Sequence, residues 1–194
     1  MYPVIILIIL IIVYYLVDYM FPVYNWRHKA PRKRYTDVYK EFGSPTFRYN
    51  YPGGAAGWFN KGCFEKIMLV DESIEHLKPK PHCDFLYATV KCYIPFEYIM
   101  DVLSMSESVK YDQLKNTLTA RCHFMGANVA TLVLCVSIAN HPEHTDMYLS
   151  RYGDLVMESM DPKTYKDLRK ELKELVKENH KIYDGKFTKR DCVM

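Results

Sequence analysis

With 194 residues, 49% of them hydrophobic, the chain is long enough to bury a core in one domain, and its formal charge is only +3. That charge sits in a single N-terminal run: Arg27, Lys29, Arg32, Lys33 and Arg34 stand against Asp18, leaving 21 basic and 22 acidic residues beyond Arg34. A general nucleic-acid-binding face, which needs clustered lysine and arginine on the domain itself, is excluded as the leading class.

The chain opens on VIILIILIIVYYLV, Val4 to Val17, without a charge. With its flanking tyrosines this low-polarity stretch reads as a transmembrane helix over residues 3–24, with Val4, Ile8, Ile12 and Leu16 in the span and Tyr19, Tyr24 and Trp26 at the membrane interface. No positive n-region precedes it and no small-residue cleavage site follows, so the expectation is an uncleaved anchor. The basic residues Arg27 to Arg34 then predict a cytosolic domain with the N-terminus outside, and anionic headgroup contacts for Arg27, Lys29, Arg32, Lys33 and Arg34. No prenylation is expected, since Asp191-Cys192-Val193-Met194 places the cysteine one residue short of a prenylation box.

Residues 25–62 hold this basic segment and an aromatic strap, FGSPTFRYNYPGGAAGWFNKG, too rich in Gly and Pro for long regular elements and too apolar for a solvated linker. Phe47, Tyr49, Tyr51 and Trp58 are its expected partner contacts, with Pro52-Gly53-Gly54 as a turn. A globular domain over 63–160 follows. Lys66–Ile74 and Asp84–Ile94 read as strands, the second with one apolar and one mixed face. Phe96, Ile99, Met100 and Leu103 predict a helical face, and a second helix is expected from Ser108 through Tyr111, Leu114 and Leu118. Between 119 and 140 the pattern fits helix and strand alike, with Ala and Leu content favouring helix and with Gly126 and Ala127 allowing close packing. Thr145–Met160 reads as a helix. The amphipathic helix over 161–185 has Asp161 as N-cap, Pro162 at the first turn and a stripe through Leu168, Leu172, Leu175 and Asn179. That stripe docks on its own domain or pairs with a second copy, Asn179 setting register in the latter case. Residues 186–194 form a tail.

The fold class expected is therefore α+β and helix-rich: one transmembrane helix, then a single domain with a short antiparallel β element and about four helices. The six cysteines have no C-x-x-C spacing and are expected as free, mostly buried thiols. His82-Cys83, Cys122-His123 and His141-x-x-His144 are zinc-type ligands, but adjacent pairs point apart, so only His141 and His144 are expected to share a face; no metal or other cofactor is assigned. Cys122 and His123, with Asp84 or Asp112, contain the letters of a nucleophilic triad without any local motif, so no catalytic residue is assigned and no enzymatic activity is expected.

Three stretches carry a resemblance: Phe42-Gly43-x-Pro45 with Pro52-Gly53-Gly54-x-Ala56-x-Trp58; Pro81-His82-x-Asp84-Phe85-Leu86-Tyr87; and Ser106-x-Ser108-Val109-x-Tyr111-Asp112 leading into Thr119-Ala120-Arg121-Cys122-His123-Phe124. Over residues 42–140 they resemble an uncharacterised family of large icosahedral double-stranded DNA viruses of the chlorella-virus and mimivirus type. The resemblance implies a virion structural protein: a minor capsid protein between an inner membrane and the capsid, with the bilayer and other capsid or membrane proteins as partners and no catalytic residues. Asp84–Leu103 also resembles the strand-then-helix start of helix-grip lipid-binding domains, which gives the alternative of a membrane-tethered lipid-binding or enzymatic domain. An apolar cavity with convergent polar groups is the feature expected to favour that alternative.

Overall fold

The computed structural model describes residues 2–20, 23–76 and 81–184. Among these, the chain forms helix α1 (Tyr2–Met20), helix α2 (Lys29–Phe42), strands β1 (Phe47–Arg48), β2 (Ala55–Lys61), β3 (Phe64–His76) and β4 (His82–Lys91), helix α3 (Ile99–Ser104), the hairpin β5 (Val109–Asp112) and β6 (Thr117–Cys122), and helices α4 (Met125–Asn140), α5 (Thr145–Glu158) and α6 (Pro162–Ile182). The strands make one antiparallel sheet in the order β1-β2-β3-β4-β6-β5.

The helix expected at the N-terminus is present, but the expected span is not borne out: among the described residues no helix is long and apolar enough to cross a bilayer. The reason is length. The charge-free part of α1, Tyr2–Val17, rises only about 24 Å at 1.5 Å per residue, against about 30 Å of hydrocarbon. Asp18 then follows, and α1 ends at Met20. Val4, Ile8, Ile12 and Leu16 are exposed. Trp26, expected at a headgroup layer, is instead buried and donates its indole N–H to the Tyr49 carbonyl at 2.8 Å. Tyr24 is exposed, and the Tyr19 side chain lies outside the described residues. The basic run belongs to the start of α2, where Arg32 donates to the Tyr24 carbonyl and Arg34 pairs with Asp37 at 2.8 Å.

The strap is folded into the sheet as β1 and β2. Trp58, expected as a partner contact, is fully buried and donates to the Gly43 carbonyl, while Tyr49 and Tyr51 are exposed and Phe47 is half-buried. The turn at Pro52-Gly53-Gly54 has Gly53 at φ +79°, a left-handed conformation open to glycine at little cost. Asp71 on β3 ties it down. Its carboxylate accepts from the backbone N–H groups of Arg27, His28 and Gly53, so one β3 side chain holds both the entry to α2 and the strap turn.

Alternation along the strands gives one apolar face, carrying Trp58, Ile67, Leu69, Leu86, Ala88, Leu118 and Ala120, all essentially buried. Helix α2 closes it over β2 and β3, with Tyr35 against Trp58 and Phe42 against Phe64. Helix α4 closes it over β4 and β6; every residue of α4 is buried, which is why its sequence is apolar on all sides. Helices α5 and α6 cover the outside of α4. Gly126 is needed there, since a Cβ would collide with the Ser159 carbonyl.

Two expected helices are corrected. The stretch from Ser108 is the β5–β6 hairpin, turned by Asp112, whose carboxylate accepts from the N–H groups of Leu114 and Lys115, and by Asn116 at φ +49°. Leu114 is therefore exposed at the hairpin tip. The helix after Pro95 is a 3₁₀ turn, Phe96–Tyr98, running into the short α3, and it buries Val102 while Phe96 and Met100 face outward. Residues 119–140, where strand and helix patterns overlap, contain one of each. Helix α6 starts as expected, Asp161 accepting from the Thr164 N–H, and Leu168 and Leu172 are buried in the domain's own core, with Leu175 half-buried against it. The stop expected at Gly185 and the 186–194 tail lie outside the described residues.

Candidate functional site

The site is assembled at one end of the sheet by register. In β4, alternation sets His82 and Asp84 in phase with Leu86. Cys122 of β6 is directly opposite Leu86, and His76 of β3 is directly opposite His82. The β3–β4 register slips between Leu69 and Ile74, and this irregularity brings His76 level with His82. His123 follows Cys122 just beyond the end of β6, ahead of α4.

These side chains converge on one atom. His82 Nε2 lies 3.1 Å from Asp84 Oδ1, 3.3 Å from His76 Nδ1 and 3.4 Å from Cys122 Sγ, and Cys122 Sγ lies 3.5 Å from His123 Nδ1. The imidazoles of His82 and His123 pack with centroids 4.7 Å apart. Asp84 is fully buried, its Oδ2 accepting from the Ser108 hydroxyl at 2.8 Å and from Arg121 Nε at 3.1 Å. Its Oδ1 is near His82 Nε2 but accepts no hydrogen bond of acceptable geometry. Behind this group, Tyr87 donates to Glu72; burial and then that carboxylate push its phenol up to about 12.

Burial pushes the Cys122 thiol up to about 11, and burial followed by the neighbouring His82 pushes His123 down to about 4. A thiol held protonated is the reverse of an activated cysteine nucleophile, whose pKa is lowered. The letters Cys122, His123 and Asp84 are thus brought close together, around a thiol whose burial favours its protonated form. Asp112 is remote from them, in the hairpin turn.

A cavity of about 240 Å³ opens onto the cluster. Its floor is His76, His82, Arg121, Cys122 and His123, with Pro81 beside them; its walls are Phe124 at the start of α4, Ala127 and Thr131 along it, and Tyr152, Val156, Met157 and Met160 from α5 and the turn after it. The donors grouped closely enough to share an ion are His82 with Cys122 and His123, and His76 with His82 and Asp84. His141 and His144, the pair expected to share a face, both approach Glu143 Oε1, at 3.8 and 3.7 Å, on the exposed surface, and His141 also approaches Glu178.

Sequence reasoning missed the cluster because its members come from β3, β4, β6 and the residue that follows β6. The available signal was the shared phase of His82 and Asp84 in one strand and of Ala120 and Cys122 in another. It became informative only once the strand partners were known. The five described cysteines are all unpaired with one another, as expected, Cys92, Cys122 and Cys135 being buried. No protein-family model matches this chain, and neither a curated protein nor a solved structure matches it.

Proposed function

We propose that the domain binds a small molecule with an apolar body and one polar head, the body between α4 and α5 and the head against His82, Arg121 and His123. The supporting observation is the 240 Å³ cavity, its walls mostly apolar with the hydroxyl-bearing Thr131 and Tyr152 among them, and its charged and imidazole groups gathered at the floor, the combination that ligand sites use to hold and orient an occupant. Ligand cavities commonly run to about 300–1,000 Å³, so the occupant is small. Met157 and Met160 give the wall the adaptability of unbranched thioethers.

Octanoate serves as a probe with both parts. Calorimetric titration is expected to give saturable binding to the full chain, with octane-1-sulfonate competing for the same site. Ala127→Leu, which adds volume at the wall, is expected to weaken octanoate about tenfold, or about 1.4 kcal/mol, with the far-ultraviolet spectrum unchanged. Absence of saturable binding, or a well-folded Ala127→Leu protein that binds as before, would overturn the proposal.

A second reading is the scaffold role implied by the viral resemblance, without a membrane-spanning helix. It is favoured by one observation: β1 is an edge strand, and Phe47, Tyr49 and Tyr51 form a continuous aromatic row along it and the turn that follows, centroids 5.3 and 5.9 Å apart, with both tyrosines exposed. Tyrosines presented this way suit protein interfaces. Cross-linking mass spectrometry on the native assembly is expected to place this row against one recurring protein; cross-links scattered over many proteins with none at the row would remove this reading.

A further inference from the structure

The geometry points to a divalent transition-metal site of zinc type on the cavity floor, with His82 Nε2, Cys122 Sγ and His123 Nδ1 as its ligands. The inference stands on the donor geometry and is independent of what fills the cavity above.

Spacing is the first argument. Zinc binds imidazole nitrogen at about 2.0–2.1 Å and thiolate at about 2.3 Å, so tetrahedral ligand atoms stand about 3.3–3.6 Å from one another. The observed separations are 3.4 Å for His82 Nε2 to Cys122 Sγ and 3.5 Å for Cys122 Sγ to His123 Nδ1, and the three residues each offer a ligand atom within 4.8 Å of the others.

Proton accounting is the second. An imidazole nitrogen offers either one N–H or one lone pair. Around His82 Nε2 stand a thiol sulfur, a carboxylate oxygen and a second imidazole nitrogen, all between 3.1 and 3.4 Å away. A single proton can satisfy one of those three neighbours. A cation among them serves several at once.

Asp84 supplies a third, independent observation. The carboxylate is fully buried and one of its oxygens lacks a hydrogen-bond donor, although its other oxygen has two. An ionised group left with an unmatched oxygen in the interior is costly, and positive charge beside it removes the deficit. Asp84 also marks the alternative donor set, His76 with His82 and Asp84. We place the ion in the thiol-containing set because Ser108 Oγ already engages His76 Nδ1 at 3.1 Å, and the same hydroxyl and Arg121 hold Asp84 from behind. Asp84 is thus a positioning residue beside the ion, oriented by Ser108 and Arg121.

The donor chemistry selects the metal. One thiolate and two imidazoles suit zinc and its neighbours, whereas magnesium and calcium require oxygen ligands. On binding, the thiol proton is released to solvent and the thiolate coordinates the ion. All three ligands line the cavity, so the fourth coordination position is reached from it; three protein ligands with an open fourth position is the arrangement of catalytic rather than structural zinc.

The test uses the full chain, purified, stripped with chelator and reloaded with Zn²⁺ or Co²⁺. Elemental analysis is expected to find one zinc ion per chain after dialysis, and the cobalt form to show a thiolate-to-cobalt charge-transfer band with tetrahedral ligand-field bands. Cys122→Ser should abolish the charge-transfer band, while Cys83→Ser, adjacent in sequence to His82 but outside the cluster, should retain it. Asp84→Asn should weaken zinc by about 10–100-fold, the usual effect of losing a group that supports the ligands, with the cobalt spectrum preserved. A wild-type chain that retains no stoichiometric metal and shows no thiolate band overturns the site whatever the variants do. A charge-transfer band that survives in Cys122→Ser, or a metal site abolished by His76→Ala and indifferent to Cys122→Ser, overturns the ligand assignment. Octanoate titration of the metal-free chain reads the cavity separately, so failure of one reading does not disguise failure of the other.

Discussion

Asn179→Ala is expected to lower the unfolding free energy by about 4 kcal/mol, because three hydrogen bonds in the interior end on this one amide. Asn179 is fully buried on α6. Its Oδ1 accepts from the Tyr93 N–H at 2.9 Å, and its Nδ2 donates to the Tyr93 carbonyl at 3.0 Å and to Asn140 Oδ1 at 2.8 Å. The amide therefore treats the chain leaving β4 as a neighbouring strand would, matching one N–H and one C=O, while Asn140 passes the network on to the Leu175 carbonyl at 3.0 Å. Alanine removes all three bonds, two of them to the backbone of half-buried Tyr93 and one to buried Asn140, at about 1–1.5 kcal/mol each. Urea denaturation is expected to show the midpoint falling with an unchanged slope, the signature of lost stability rather than an altered end state. A shift below about 1 kcal/mol, the scale of a single neutral hydrogen bond, would show that water enters and replaces the amide. Light scattering on the same variant addresses the other role considered for this position: a register-setting asparagine in a paired helix would change the oligomeric state, whereas an internal clamp leaves it unchanged.

That clamp marks the boundary of what single-chain periodicity conveys. The 3.6-residue pattern located α6, its N-cap and its buried stripe, because all of these are local to about twenty residues. Whether the stripe met its own domain or another chain depended on Tyr93 and Asn140, distant in sequence and adjacent in space. The same limit governs β5 and β6. Tyr111, Leu114 and Leu118 satisfy a helical spacing, but the Asp112 side chain and Asn116 favour a tight turn, and that local chemistry outweighed the spacing. In α4 the difficulty was reversed, since a helix buried on every side has no phase to detect. At the N-terminus, apolar composition suggested a span, yet the charge-free part of α1, Tyr2–Val17, is short for a bilayer and Asp18 follows it within the same helix. The site itself was the least legible feature. Each of His76, His82, Asp84 and Cys122 is ordinary in its own strand, as is His123 just after one, and only the pairing of β3 with β4 and of β4 with β6 makes them a group.

Asp71→Asn is expected to cost about 2–4 kcal/mol at neutral pH, the range for losing hydrogen bonds made to a charged acceptor, with a pH dependence that identifies the cause. Asp71 is buried on β3. Its Oδ1 accepts from the His28 N–H at 2.7 Å and its Oδ2 from the Gly53 N–H at 2.8 Å and from the Arg27 N–H. Residue His28 caps α2 without a side-chain hydrogen bond of its own, so the carboxylate from β3 serves as a remote cap and places negative charge at the positive end of the helix. Burial alone would raise the pKa of this acid; the N–H groups of His28, Gly53 and Arg27 together outweigh it and hold the carboxyl below its ordinary value. A folded-state pKa below the unfolded one means that the stabilisation is present in full above the ordinary carboxylate range and is lost as pH falls through the folded value. Asparagine keeps the shape and one acceptor but turns an NH₂ toward backbone donors, and it has no charge to lose. The stability gap between wild type and Asp71→Asn, from urea titrations at successive pH values, should therefore be constant from neutral pH down to the ordinary carboxylate range and close progressively below it. A gap that stays constant through acid would assign the loss to packing at the strap turn instead of to the ionised carboxylate. With the acid protonated or removed, α2 loses its anchor and the strap turn at Gly53 loses its tie to β3; amide exchange at Arg27, His28 and Gly53 should then accelerate ahead of exchange in α4, whose buried backbone depends on none of these contacts.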